Sequence, residues 1–109
     1  MKNPEMIRQG DVLLVPVDEI PAGVRPVARA DGRLVLATGE ATGHAHAVLD
    51  AGAHLLENDV DERFLQVLEE GGVTLTHEEH AAVRVPPGDY RVRRQREYVP
   101  REVPQRVLD

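Results

Sequence analysis

Glycine and proline punctuate this chain so often that its apolar residues fall into short runs. Nine glycines and eight prolines are spread over 109 residues. The runs "DVLLVPV" (11–17), "RLVLA" (33–37), "HAHAVLD" (44–50) and "HLLEN" (54–58) are bounded by turn formers. Pro16 marks a strand end or edge, because proline cannot donate to a ladder. Asp31-Gly32 is a tight hairpin signal. "RFLQVLE" and "VTLTH" flank Gly71-Gly72 and read as the two arms of a hairpin. Phe64, Leu65 and Leu68 also fit a helical stripe, but the paired glycines favour strands. "AAVRV" then ends at "PPGD", and "YRVRRQREY" follows. Turn signals about 8–12 residues apart predict an all-β sandwich or small barrel of about seven short strands. The length suits one domain over 1–109. Residues 99–109, with two prolines, are expected to run as an extended C-terminal tail.

The composition narrows the chemistry. Aromatics are 3% of the chain, so the core must be built from Val, Leu, Ile and Ala. There is neither Cys nor Ser. Disulfides, thiolate metal sites and Ser or Cys nucleophiles are therefore excluded. Any catalysis is pushed towards metal-assisted or acid–base chemistry. The N-terminal "MKNPEMIRQGDVLLVPV" has no long apolar run or cleavage-site pattern and reads as mature protein. No window resembles a membrane helix. A cytoplasmic location is the expectation.

The net charge of −6 is unevenly spread. Between Glu57 and Glu79 stand Glu57, Asp59, Asp61, Glu62, Glu69, Glu70, Glu78 and Glu79, opposed only by Arg63. Arg91, Arg93, Arg94 and Arg96 follow on one predicted strand. These arginines are candidates for a partner contact, including a homo-oligomer in which they meet the acidic face of a neighbour. The plainer reading is that the two halves neutralise each other across a sheet. An acidic pI near 5.3 and scarce aromatics argue against nucleic acid as the partner.

All five histidines lie between 44 and 80. In a strand, residues two apart point to the same face, with Cα atoms about 6–7 Å apart. His44 and His46 of "TGHAHAV" would then stand side by side. In "THEEH", Thr76 and Glu79 match a capping box, which predicts a single helical turn. That turn would put His77 and His80 on one face. His44, His46, His77 and His80 are thus candidate ligands of one divalent transition metal. Two histidines and a carboxylate with open positions favour iron, whereas three histidines and a water favour zinc. Glu40, Asp50, Glu78 and Glu79 are the carboxylate candidates, with Glu78 and Glu79 the candidate catalytic groups. A metal-free polar cluster and unrelated histidines are the alternatives. His54 reads as an exposed strand histidine.

"GEATGHAHAVLD" partly resembles the first motif of cupins, through Gly39, His44, His46 and Asp50. "VPPGDYRV" resembles the Pro-x-Gly turn of their second motif, through Pro86 and Gly88. The resemblance implies a cupin-like barrel. It departs at Arg91, where a last metal histidine would be expected, so that ligand would have to be His77 or His80. "RQGDVLLVPV", "TGHAH", "THEEH", "PPGDY" and "RQREY" together resemble a group of short bacterial and phage proteins of unknown function. That likeness spans most of the chain and implies no activity.

Two function classes follow. One is a metal-dependent enzyme acting by acid–base or hydrolytic chemistry on a small oxygen-rich molecule. The other is a non-catalytic binding or assembly module, with a structural histidine cluster and an arginine strand that docks on a partner. Ligand or metal sensing without turnover is a third.

Overall fold

The computed structural model describes residues 5–38 and 43–97. Glu40 and the 99–109 tail lie outside the described residues. Among the described residues ten strands occur in chain order: β1 (Ile7–Gln9), β2 (Val12–Val17), β3 (Arg25–Pro26), β4 (Leu34–Thr38), β5 (Ala45–Val48), β6 (Ala53–Glu57), β7 (Arg63–Val67), β8 (Val73–Thr76), β9 (Val83–Val85) and β10 (Gly88–Arg94). A single 3-10 turn, Gln95–Glu97, follows them. The architecture is all-β, as the turn spacing predicts. The strands form two antiparallel sheets, ordered β1-β2-β10-β7-β6-β3 and β4-β5-β8-β9.

Burial explains the layering. Leu14, Leu55, Leu65 and Tyr90 from the first sheet join Leu34, Val48, Leu75 and Val85 from the second in one apolar cluster. Alternation does the work: β4 and β8 bury every second side chain. Tyr90 is fully buried, and its hydroxyl donates to the Pro86 carbonyl at 2.7 Å. Burial pushes that phenol up to about 12. Arg63 crosses between the sheets, donating to the Val35 and Leu36 carbonyls at 3.2 and 3.3 Å. Those carbonyls flank a register shift between Val35 and Ala37. A bulge there accounts for the extra residue in β4.

The turn chemistry at Asp31-Gly32 is as expected. Both residues have positive φ, 54° and 78°, and Ala30 and Arg33 exchange both backbone hydrogen bonds. The two strands that the sequence runs do not contain, β1 and β3, are very short. β1 is followed by a tight turn at Gly10-Asp11, with Gln9 opposite Val12. β3 is a two-residue edge strand inside a proline-rich loop, where pattern reading sees only loop.

β7 and β8 do not form the hairpin expected from Gly71-Gly72. β7 pairs with β6 and β10, whereas β8 pairs with β5 and β9. The glycines carry the chain from one sheet to the other. Leu68 and Glu69 amides bond the Gly52 carbonyl, and Gly72 then turns back onto Glu69. Gly72 has φ +82°, and a Cβ there would sit 2.5 Å from the Val85 carbonyl oxygen. Only glycine permits that approach.

The arginine strand β10 is an interior strand of its sheet. It lies between β2 and β7, so both sides of its backbone are paired. Arg91 bonds Glu62 at 2.9 Å, and Arg94 bonds Asp11 at 2.9 Å and the Thr38 carbonyl at 2.6 Å. Arg25 and Arg63 meet Glu57, and Arg25 also meets Asp59. Acidic and basic segments thus meet within the chain. Arg93 is half-buried and Arg96 exposed.

The crossing at Gly71-Gly72 gives a paired test. Gly72→Ala should cost at least about 2–4 kcal/mol, from left-handed backbone strain and the overlap with Val85. Gly71→Ala, where a Cβ meets only Arg84 at 4.0 Å, should stay within about 0.5 kcal/mol. Urea denaturation of the two variants measures the difference. Equal stabilities would refute this account of the crossing.

Candidate metal centre

The histidines gather where three backbone segments meet. Gly43, at φ +76°, leads into β5. His44 lies just before β5, and His46 is its second residue. His77 and His80 follow β8, in the bend that leads to β9. The turn between β1 and β2 brings Gln9, Gly10 and Asp11 from the other sheet. His46 shares its strand face with Val48, a member of the core, so its ring points between the sheets.

Ring positions define the cluster. The centroid of His77 lies 4.3 Å from that of His46, 4.6 Å from His80 and 5.7 Å from His44. His46 and His80 are stacked at 6.1 Å. The two sequence motifs therefore bring all four rings together. His54 stands apart, exposed on β6.

The capped helical turn expected at Thr76 is absent. Thr76 ends β8, opposite Ala47, and its hydroxyl donates to the Ala47 carbonyl at 3.0 Å. The Glu79 amide instead donates to His77 Nδ1 at 3.0 Å. The bend uses a histidine side chain where the capping box would use threonine.

The glutamates divide their contacts. Glu78 Oε1 accepts the Ala45 amide at 2.9 Å, tying the bend to the start of β5. That bond and its own backbone amide hold the Glu78 carboxyl below its ordinary range, with His44 and His77 adding to the effect. Glu79 Oε2 stands 3.5 Å from His44 Nδ1. Asp50 is turned away: its Oδ1 accepts the Thr74 amide beyond the other end of β5.

His44, His77 and Glu78 form a group that could hold a metal ion. Each offers a ligand atom within 4.8 Å of the other two. Ligation by His77 has a structural requirement. Its Nδ1 already accepts the Glu79 amide, so the neutral ring carries its hydrogen on Nε2. An ion bound there would replace the amide bond at Nδ1 or follow a turn of the ring.

His46 is the buried member, 3% exposed. Its Nδ1 lies 2.9 Å from Gln9 Oε1, and its Nε2 faces Asp11 Oδ1 at 3.8 Å. Burial lowers its imidazole from 6.5 to about 4, with His77, His80 and Arg94 adding to the shift and Asp11 opposing it. Burial alone would raise Asp11, but Arg94, helped by His46, holds that carboxyl below its ordinary value. Gly10, at φ +60°, leaves room for the rings: a Cβ there would lie 2.6 Å from His80 Nε2 and 3.3 Å from His46 Cε1.

Sequence reasoning passed over Gln9, Gly10 and Asp11. A signal existed: in a strand, Ile7 and Gln9 share a face, and a polar side chain on a core face needs a partner. A cleft of about 540 Å³ lies elsewhere, lined by Val27, Val35, Ala37, Arg63, Arg93 and Arg94 among others. No histidine lines it.

A family model described as a domain of unknown function, DUF8820, matches residues 8–95. The chain belongs to this family. The match takes in both histidine motifs and the Gln9–Asp11 turn. No curated protein and no solved structure matches the chain.

The depressed His46 imidazole sets a pH dependence for the metal-free protein. Unfolded, the ring takes up a proton near 6.5; folded, it stays neutral to about 4. Its contribution is intact above 6.5 and is lost as pH falls through that window, by about 3 kcal/mol in total. In the presence of a chelator, stability should fall more steeply between pH 7 and pH 4 in the wild type than in His46→Gln. Parallel profiles of unfolding free energy would contradict this assignment.

Proposed function

We propose that this protein binds a divalent transition-metal ion, zinc or iron, at the histidine cluster. We infer further that it uses the ion in acid–base or hydrolytic chemistry on a small oxygen-rich substrate. The observation that carries the reading is the convergence of His44, His77 and Glu78 ligand atoms within 4.8 Å. Imidazole nitrogens with one carboxylate oxygen suit zinc and non-haem iron. His46 and His80 crowd the same group and are further nitrogen donors.

The ion supplies Lewis acidity towards an oxygen of a substrate or water. The chain supplies the rest. Glu78 is anchored by the Ala45 amide and is the carboxylate ligand of the set. Glu79, exposed, stands 3.5 Å from His44 Nδ1, an ion-pair distance, and would orient the ring by closing on its Nδ1 hydrogen. Its second oxygen is then free to accept a proton, as a general base requires.

A second reading has its own support. His46 and Gln9 join the two sheets at this end of the fold, and an ion that took Asp11 of the β1–β2 turn together with His46 would staple the layers without turnover. Its discriminating feature is a closed set of four protein ligands, where an enzyme would keep an open position.

Metal analysis tests the proposal. Purified protein, stripped and reloaded with zinc, should retain about one equivalent per chain. His44→Ala and His77→Ala should each weaken zinc by more than the roughly 10–100-fold that a merely supporting group costs. Absence of stoichiometric binding by zinc or ferrous ion would end this reading. A cobalt-substituted protein whose visible spectrum responds to azide has an open position and favours the enzyme. An unresponsive spectrum favours the staple.

A further inference from the structure

One buried side chain touches both halves of the histidine cluster. Gln9 is 3% exposed and sits at the end of β1, in the sheet opposite to the histidines. Its amide nitrogen donates to the Leu75 carbonyl at 2.9 Å and to the Ala81 carbonyl at 3.0 Å. A primary amide has two N–H donors, so both are used. This settles which way the amide points. Turned over, its oxygen would face two carbonyl oxygens, with no hydrogen between them.

Two consequences follow. Leu75 and Ala81 bracket Thr76–His80, so one side chain ties both ends of the segment that bears His77 and His80. The amide oxygen, meanwhile, is left pointing at His46 Nδ1, 2.9 Å away. An amide oxygen can only accept, so Nδ1 must carry the hydrogen. The neutral ring then has its lone pair on Nε2, the nitrogen that faces Asp11, while the adjoining Cε1 borders the cleared space above Gly10. At 3.8 Å Asp11 is too far to compete as a hydrogen-bond partner. Metal-binding histidines are held in this way, by an acceptor on the nitrogen that does not ligate.

We propose that Gln9 is the positioning residue of the centre: it fixes His46 with Nδ1 protonated and Nε2 as the donor atom, and it clamps the His77–His80 segment against β1. His46, which lies outside the His44–His77–Glu78 group but has its ring 4.3 Å from that of His77, is thereby presented as a preorganised further donor, whereas His77 must first give up its bond to the Glu79 amide. The effect on metal affinity rests on the metal-centre reading. The tautomer does not, because the hydrogen bonds that set it are made without an ion.

Nitrogen-15 NMR of histidine-labelled, zinc-free protein at neutral pH tests the tautomer directly. The expected result is a protonated Nδ1 and a bare Nε2 at His46; a protonated Nε2 overturns the proposal. Gln9→Met keeps length and volume but removes all three hydrogen bonds. It should convert His46 to a mixture of tautomers and weaken zinc about 10–100-fold while leaving the stoichiometry of one. A Gln9→Met protein with the wild-type tautomer and wild-type zinc affinity overturns the positioning role. If that variant cannot be purified folded, the wild-type spectrum still decides between the two tautomers. If the wild type takes up no metal, the metal reading fails, and the His46 tautomer in wild type and Gln9→Met decides the role of Gln9 alone.

Discussion

The hydrogen bond between Gln9 and His46 governs the end of the fold where the histidines gather. A buried imidazole and a buried amide are each costly unless their polar atoms are matched. Here each satisfies the other, and the amide's remaining donors take two main-chain carbonyls. The consequence is a polar plug between two apolar layers. It fixes the β1–β2 turn against β8, and so fixes where Gly10 and Asp11 stand relative to the rings. Glu78, held by the Ala45 amide, closes the opposite side. The site is built by groups that first meet the hydrogen-bonding needs of the backbone, and only then face one another.

Much of the fold was legible because it depends on local rules. Alternating burial in β4 and β8, the positive φ pair at Asp31-Gly32 and the density of turn formers all act within a few residues. What was not legible depends on partners distant in sequence. Gly71-Gly72 reads as a hairpin from its own residues. It becomes a sheet-to-sheet crossing because β8 finds β5 and β9 instead of β7. β1 is too short to show periodicity, and the Gln9 that it carries was lost with it.

The histidine cluster followed the same division. His46 lies in β5 and His44 just before it, and each ring meets that of His77. The approach of His77 and His80 was expected for a reason that does not hold. Thr76 and Glu79 form no capped turn, and the His77 ring itself accepts the amide that bends the chain. Two local conformations can satisfy the same pattern, and here the Glu79 amide is taken by His77 Nδ1. The arginines tell a related story. Arg91 and Arg94 look available in sequence, yet they meet Glu62 and Asp11, residues placed 29 and 83 positions away.

The bracket formed by Gln9 also bears on when this centre can exist. Its bonds to Leu75 and Ala81 span 66 and 72 residues, and its contact with His46 spans 37. Contacts of such separation close late, because the chain entropy of long loops must be overcome first. The bracket around His77 and His80 and the hold on His46 are present only once both sheets have docked, whereas His44, His77 and Glu78 belong to one sheet. An ion that binds only the docked form would therefore act as a lock on the finished fold, raising its apparent stability by mass action. Occupancy of the centre would then report that the first strand and the last sheet have found each other.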